Sequence, residues 1–186
     1  MSSDLKGIRV AILATDGVEQ DELMEPRKFL QELGAETFVL SPKNGKIQAM
    51  QHHEKGETIE VDRPLNGAES REYDAVLLPG GALNADTLRM SEEARRFVRE
   101  ADRAGKPMAV ICHAPWLLAS AGLLKGRTLT SFRTIQDDLR NAGADWHDEE
   151  VIRDQNWITS RQPSDIPAFN RAFAELLTEA RNKKAA

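Results

Sequence analysis

Lys106–Gly122 reads KPMAVICHAPWLLASAG, and the fold is decided there. Met108, Ala109, Val110 and Ile111 form a short apolar run of the kind found in a strand covered on both faces. Cys112, the only cysteine of the chain, follows at once, then His113, Ala114 and Pro115. Trp116–Ala121 are compatible with a helix, and Gly122 sits where a helix stop is expected. Strand, sharp turn and helix therefore meet at the cysteine, the layout of a nucleophile elbow with Cys in place of Ser. A tight turn holds the side chain clear of the sheet, and the following helix aims unpaired N–H groups and its positive dipole end at it. Both effects favour thiolate and place the thiol below the free value of about 8.5. The same pattern also fits a small buried hydrophobe. His113 is the immediate neighbour of Cys112, so the two side chains meet only if the backbone bends between them.

Outward from the elbow, strand and helix alternate. Ile8–Ala14 reads as a buried strand, Thr15-Asp16-Gly17 as a turn, and Glu19–Leu33 as a helix with Pro26 in its early part. Asp16, Glu19, Asp21, Glu22 and Glu25 crowd this turn and the start of the helix. Acids there complement the helix dipole. The turn also stands at the C-terminal end of a strand, where open α/β sheets build their sites, so one of these carboxylates is expected to face the cysteine. Glu36–Ser41 is a second strand. Residues 42–73 read as an inserted hairpin and loop, and His52-His53-Glu54 within it as a solvated loop, since no further ligand stands at metal-binding spacing. Tyr73–Leu78 is a third core strand, followed by Pro79-Gly80-Gly81. This Gly pair fits either an ordinary strand exit or a tight turn with outward N–H groups, an oxyanion site.

Asn84–Thr87 lead toward a helix whose main part is capped by Ser91 and runs to Gly105. Beyond the elbow come a short strand at 128–130, a helix at 135–142, two strands at 150–153 and 157–160 around Asp154-Gln155-Asn156, and a closing helix at 167–181. Residues 182–186 are expected to fray. Trp116, Trp146 and Trp157 read as packing anchors. Alternation of this kind gives a mostly parallel sheet with helices on both faces, a flavodoxin-like doubly wound sandwich. The turns at Asp16–Glu19, Pro79–Gly81 and Cys112-His113 then share one sheet edge.

At 186 residues the chain is expected to form a single domain over 1–186. Hydrophobic residues make up 40% and charged residues 30%, a globular rather than a disordered balance. The net charge of −5 gives no support for nucleic acid as the main ligand. A single cysteine excludes an intrachain disulfide and suits a reducing cytoplasm. MSSDLKGIRVAIL lacks the basic start and long apolar core of a signal peptide, and no apolar run approaches a membrane span.

Four stretches carry a resemblance: AVLLPGG (75–81), KPMAVICHAP (106–115), SAGLLKG (120–126) and WITSR (157–161). Together they resemble the PfpI family of the class I glutamine-amidotransferase-like superfamily, which includes the parkinsonism-linked deglycase. The resemblance implies a flavodoxin-like fold and a homodimer, in some members a hexamer. It implies Cys112 as nucleophile, Glu19 hydrogen-bonded to it, and His113 as partner imidazole oriented by an acid of the neighbouring subunit, matched here by Asp86. That acid is Glu, in a loop of slightly different length, in the family's founding peptidases. The activities implied are deglycase and glyoxalase chemistry on methylglyoxal or its protein adducts without metal or organic cofactor. The alternatives are an intracellular cysteine peptidase, or a redox sensor or chaperone with an oxidisable Cys112.

Overall fold

The computed structural model describes residues 4–185; residues 1–3, at the head of the N-terminal stretch read above, and residue 186 lie outside the described residues. The strands are β1 Arg9–Leu13, β2 Val18–Glu19, β3 Glu36–Ser41, β4 Lys46–Gln51, β5 Glu54–Glu60, β6 Arg63–Pro64, β7 Ala75–Leu78, β8 Met108–Ile111, β9 Thr128–Leu129, β10 Asp145–Trp146, β11 Val151–Asp154 and β12 Trp157–Ser160. The helices are α1 Gln20–Glu32, α2 Ala82–Leu88, α3 Glu92–Arg103, α4 Pro115–Ser120, α5 Gln136–Asn141 and α6 Ile166–Ala185.

Seven strands form the main sheet in the order β11-β12-β8-β7-β1-β3-β6. All its neighbouring pairs are parallel except β11 with β12. Counting the central parallel strands β1, β3, β7, β8 and β12 in chain order, their spatial order is second, first, third, fourth, fifth, the flavodoxin-like arrangement. The apolar runs of the sequence follow from burial on both faces. Val10, Ile12, Ala75, Leu77, Ala109 and Ile111 pack with Leu23, Phe169 and Phe173 of α1 and α6. Ala11, Leu13, Val76, Leu78, Met108 and Val110 pack on the other side with Phe97, Leu117 and Leu118 of α3 and α4. Period-two alternation thus feeds two cores from one set of strands.

Three local differences from the sequence reading have physical causes. The approach to Ser91 is a helix of its own, α2, and the Ser91 side chain then accepts the Ala94 N–H to start α3. β9 pairs with β10 in a separate two-stranded ribbon instead of joining the main sheet. The last helix does not end at 181 but continues through Ala185, with Lys183 and Lys184 in its last turn complementing the dipole and Lys184 bonded to Asp74. Within 42–73, β4 and β5 form an antiparallel hairpin that pairs through β4 with β2, next to the start of α1. Among the described residues no helix is long and apolar enough to cross a membrane.

Phe169, on α6, is fully buried against the sheet. Phe169→Ala is expected to lose about 3–5 kcal/mol of stability, read as a lower urea midpoint at unchanged slope.

Candidate active site

Cys112 follows β8 with φ +65°, one of the few non-glycine residues in the left-handed region. That conformation costs a β-carbon residue of order 1–3 kcal/mol and persists only where the surroundings impose it. Here the Cys112 N–H donates to Ser160 O at 3.1 Å, and its carbonyl accepts from Phe132 N–H at 2.9 Å. Ala114 N–H closes the turn on Ile111 O, and Pro115 opens α4. The reversed φ supplies the bend that the sequence demanded: Cys112 Sγ lies 3.1 Å from His113 Nδ1. The imidazole is stacked on Phe132 and meets the edge of Trp116. Sequence reasoning missed Phe132, whose ring and backbone both serve the elbow.

The Gly pair is required by space. A Cβ on Gly80 would stand 2.6 Å from Cys112 Cβ, and one on Gly81, at φ +92°, 2.7 Å from Glu19 N. Gly80 N–H donates to Glu22 Oε2 at 2.8 Å, so it is committed to that carboxyl and not open to an oxyanion. Gly81 N–H and His113 N–H instead reach the sulfur. Asn84, a second residue the sequence reading passed over, locks this corner. Its amide donates to Pro79 O and Gly80 O and accepts from Thr15 N–H, joining the turns after β1 and β7.

The acid beside the thiol is Glu22, not Glu19. Glu22 is fully buried in the first turn of α1 and is coupled to Cys112 beside Gly80. Glu19 ends β2, and both its oxygens accept from His52 N–H on the hairpin, at 3.3 and 3.2 Å. Its backbone N–H is held by Gly80 O. The sequence listed both acids; helical phase puts the one three residues further on against the sulfur. Asp86 is exposed on α2 and does not line the cavity that contains Cys112 and His113. That cavity, about 830 Å³, is lined among others by Glu19, Glu22, Met50, His52, His53 and Phe132. The two histidines stand at its rim, in a turn that is solvated as expected, the His52 side chain being 76% exposed. Among the described residues no three metal-ligating side chains converge.

The thiol pKa departs from the value expected at a helix terminus. Cys112 is only 6% exposed, and burial pushes the thiol up. The Glu22 charge acts in the same direction, while the Gly81 and His113 N–H groups pull back. The dipole of α4, a helix of six residues, does not outweigh this desolvation. Burial also raises Glu22 to about 8, so at neutral pH its carboxyl is protonated. His113 is pushed down by burial and is neutral there, able to accept a proton. Thiol and carboxyl titrate as a coupled pair.

Residues 8–176 match the DJ-1/PfpI family. Among similar proteins, a deglycase of Thermococcus kodakarensis is 43% identical over 170 residues, covering 91% of this chain and 99% of that protein. The protein/nucleic acid deglycase 2 of Escherichia coli is 38% identical, covering 91% and 97%. A solved two-domain protein of Anabaena variabilis, with DJ-1/ThiJ/PfpI-like and ferritin-like domains, superposes with a TM-score of 0.86 at 37% identity. It covers 91% of this chain, which spans 48% of that longer one.

Glu22 keeps its proton to about pH 8 when folded, against 4.5 for an exposed carboxyl. Between those values the folded state holds more protons than the unfolded one, so stability falls as pH rises. Glu22→Gln has no such proton to lose. Urea unfolding from about pH 5 to about pH 8 is expected to show the variant gaining a few kcal/mol on the wild type; a gap independent of pH contradicts the buried, protonated acid.

Proposed function

The chain belongs to the DJ-1/PfpI family, and from that premise we propose that it is a cysteine-dependent deglycase acting on methylglyoxal and its protein adducts. One observation carries the reading: a strained, cavity-lining Cys112 held between a neutral imidazole and a protonated carboxyl. Each group has a use in carbonyl chemistry. His113 Nδ1 takes the thiol proton as sulfur adds to the aldehyde carbon, and the new alkoxide takes its proton from Glu22. Gly81 and His113 N–H groups, already turned to the sulfur, stand next to the developing oxyanion. Glu22, now a carboxylate, removes the hydrogen on the former aldehyde carbon as a proton, and the imidazolium protonates the neighbouring ketone oxygen. Glu22 then protonates that second carbon and takes back the proton of the first carbon's hydroxyl. The result is a lactoyl thioester, which water hydrolyses to lactate, returning the thiol. With an amine adduct as substrate, the carbinolamine first collapses: its hydroxyl proton passes to nitrogen, the C–N bond breaks to release the free amine, and the aldehyde so formed enters the same sequence. None of these steps calls on a metal or an organic cofactor.

The proposal includes a homodimer in which the partner subunit's Asp86 orients His113, an arrangement suited by the exposure of Asp86 on α2. Size-exclusion chromatography with light scattering tests it, and a monomer that retains full activity removes Asp86 from the scheme.

The central experiment follows lactate formed from methylglyoxal. Cys112→Ala is expected to lose roughly 10³-fold or more in kcat/KM, and Glu22→Gln roughly 10²–10⁴-fold, since the amide keeps the Gly80 hydrogen bond but moves no proton. Equal turnover by wild type and Cys112→Ala overturns the reading.

A further inference from the structure

We propose that Glu19 is the charge-selecting residue of the cavity, directing it toward neutral or cationic carbonyl compounds and away from those bearing a carboxylate. The inference rests on the reading of Cys112 as the group that attacks carbonyls, and it names the substrate class more narrowly. Glu19 stands at the N-terminus of α1 yet its side chain makes no hydrogen bond to its own helix. It reaches across to the hairpin instead, where both oxygens hold His52 N–H, with the His52 ring nitrogen 3.7 Å away. His52 meets it in the left-handed conformation, φ +57°, so the hairpin tip is bent to deliver that N–H. The carboxylate is thereby fixed at the cavity wall, 8% exposed, and not free to swing into bulk water.

The rest of the lining does not offset it. Among the described residues of the cavity there is no lysine or arginine. Glu22 is protonated and His113 neutral at pH 7. His52 and His53 stand at the exposed rim. An anionic substrate entering this space therefore approaches a fixed negative charge with no partner cation inside, in a partly desolvated setting where screening is weak. A carbonyl adduct next to an ammonium or guanidinium group meets the opposite field. Small acids such as glyoxylate fall on the excluded side, methylglyoxal is neutral, and an adduct that keeps a positive charge, as on an arginine guanidinium, falls on the favoured side.

The single cysteine makes a test possible that needs no turnover, because every thiol adduct reports Cys112. Modification rates are measured with methanethiosulfonates carrying a trimethylammonium, a sulfonate or no charge. Dividing by the neutral reagent's rate removes any change in thiolate population. In the wild type the cationic reagent is expected to outpace the anionic one. Glu19→Gln, whose amide oxygen can still accept from His52, is expected to cut the cation-to-anion ratio about tenfold. Glu19→Met gives a second neutral version, and Glu19→Asp, which keeps the charge, stays near the wild-type ratio. Glu57→Gln, which removes a charge outside the cavity, leaves it unchanged. A ratio that is the same in wild type, Glu19→Gln and Glu19→Met overturns the proposal. Lactate assays run in parallel keep the two readings apart. Loss of charge selection with no methylglyoxal turnover supports this inference and removes the deglycase one, while turnover with unchanged selection does the reverse.

Discussion

The backbone of one residue, Cys112, sets the conditions for the rest of the site. A left-handed conformation is unfavourable for any residue with a β-carbon, and nothing local to the sequence ICHAP relieves it. It is imposed from outside, by the last carbonyl of β12 and the N–H of Phe132 gripping the peptide groups on either side. Those grips depend on β12 lying beside β8, and so on the whole strand order. In return the bend gives what an extended strand cannot, two consecutive side chains within hydrogen-bonding distance of each other. The close approach of Gly80 is a second consequence. The turn after β7 must pass under the displaced Cys112 Cβ, and only a residue without a side chain fits there.

Burial has opposite effects on structure and chemistry here, and Glu22 reconciles them. A thiol enclosed by two strand ends and a helix is well positioned but poorly ionised. A buried carboxylate beside it would make matters worse. Because Glu22 holds its proton to about 8, the group next to the sulfur at neutral pH is a donor rather than a second negative charge. The pair then carries at most one charge near neutrality, and the energy of desolvating it is met once rather than twice. The neutral His113 completes this arrangement as a proton acceptor that adds no charge to the resting cavity.

What the sequence made legible follows the strength of the physical signal. Continuous apolar runs separated by helical periods carried the doubly wound sheet, and the Gly-Gly pair after β7 and the Cys-His pair after β8 were visible as turns at one edge. The assignment of the acid was not. Glu19 and Glu22 both stand at the helix start, and only the pitch of α1, fixed by the packing of Leu23 and Leu30 into the core, decides which carboxyl points at β8. That the solvated His52-His53 turn borders the site was not legible, because 33 residues separate His52 from Glu19 along the chain; the pairing of β2 with β4 closes that distance, and a two-residue strand leaves no periodic trace. Phe132 stands alone among polar residues, and Asn84 reads from sequence only as part of the approach to a helix. Thiol ionisation failed for a different reason: the helix dipole is a local property, but desolvation depends on tertiary burial that no local window contains.

The stretch from Asp16 to Glu22 also explains why the hairpin belongs to the site. Asp16 accepts from Gln48 N–H and pairs with Lys43, Glu19 holds His52, and Gln20 accepts from Glu57 N–H. Gly56 lets Gln20 approach, since a Cβ there would collide with the amide. Asp16, Glu19 and Gln20 thus fasten the hairpin to the turn before β2, to β2 itself and to the first residue of the helix that carries Glu22. The hairpin that walls the cavity is thereby hydrogen-bonded to the segment that leads into the helix carrying Glu22. Side chains at the rim can move without breaking these ties, whereas displacing the hairpin breaks them. The exposed ring of His52 is suited to that, because its backbone N–H, not its imidazole, makes the closer hydrogen bonds to Glu19. The rim can therefore rearrange while the charged wall beneath it stays in place.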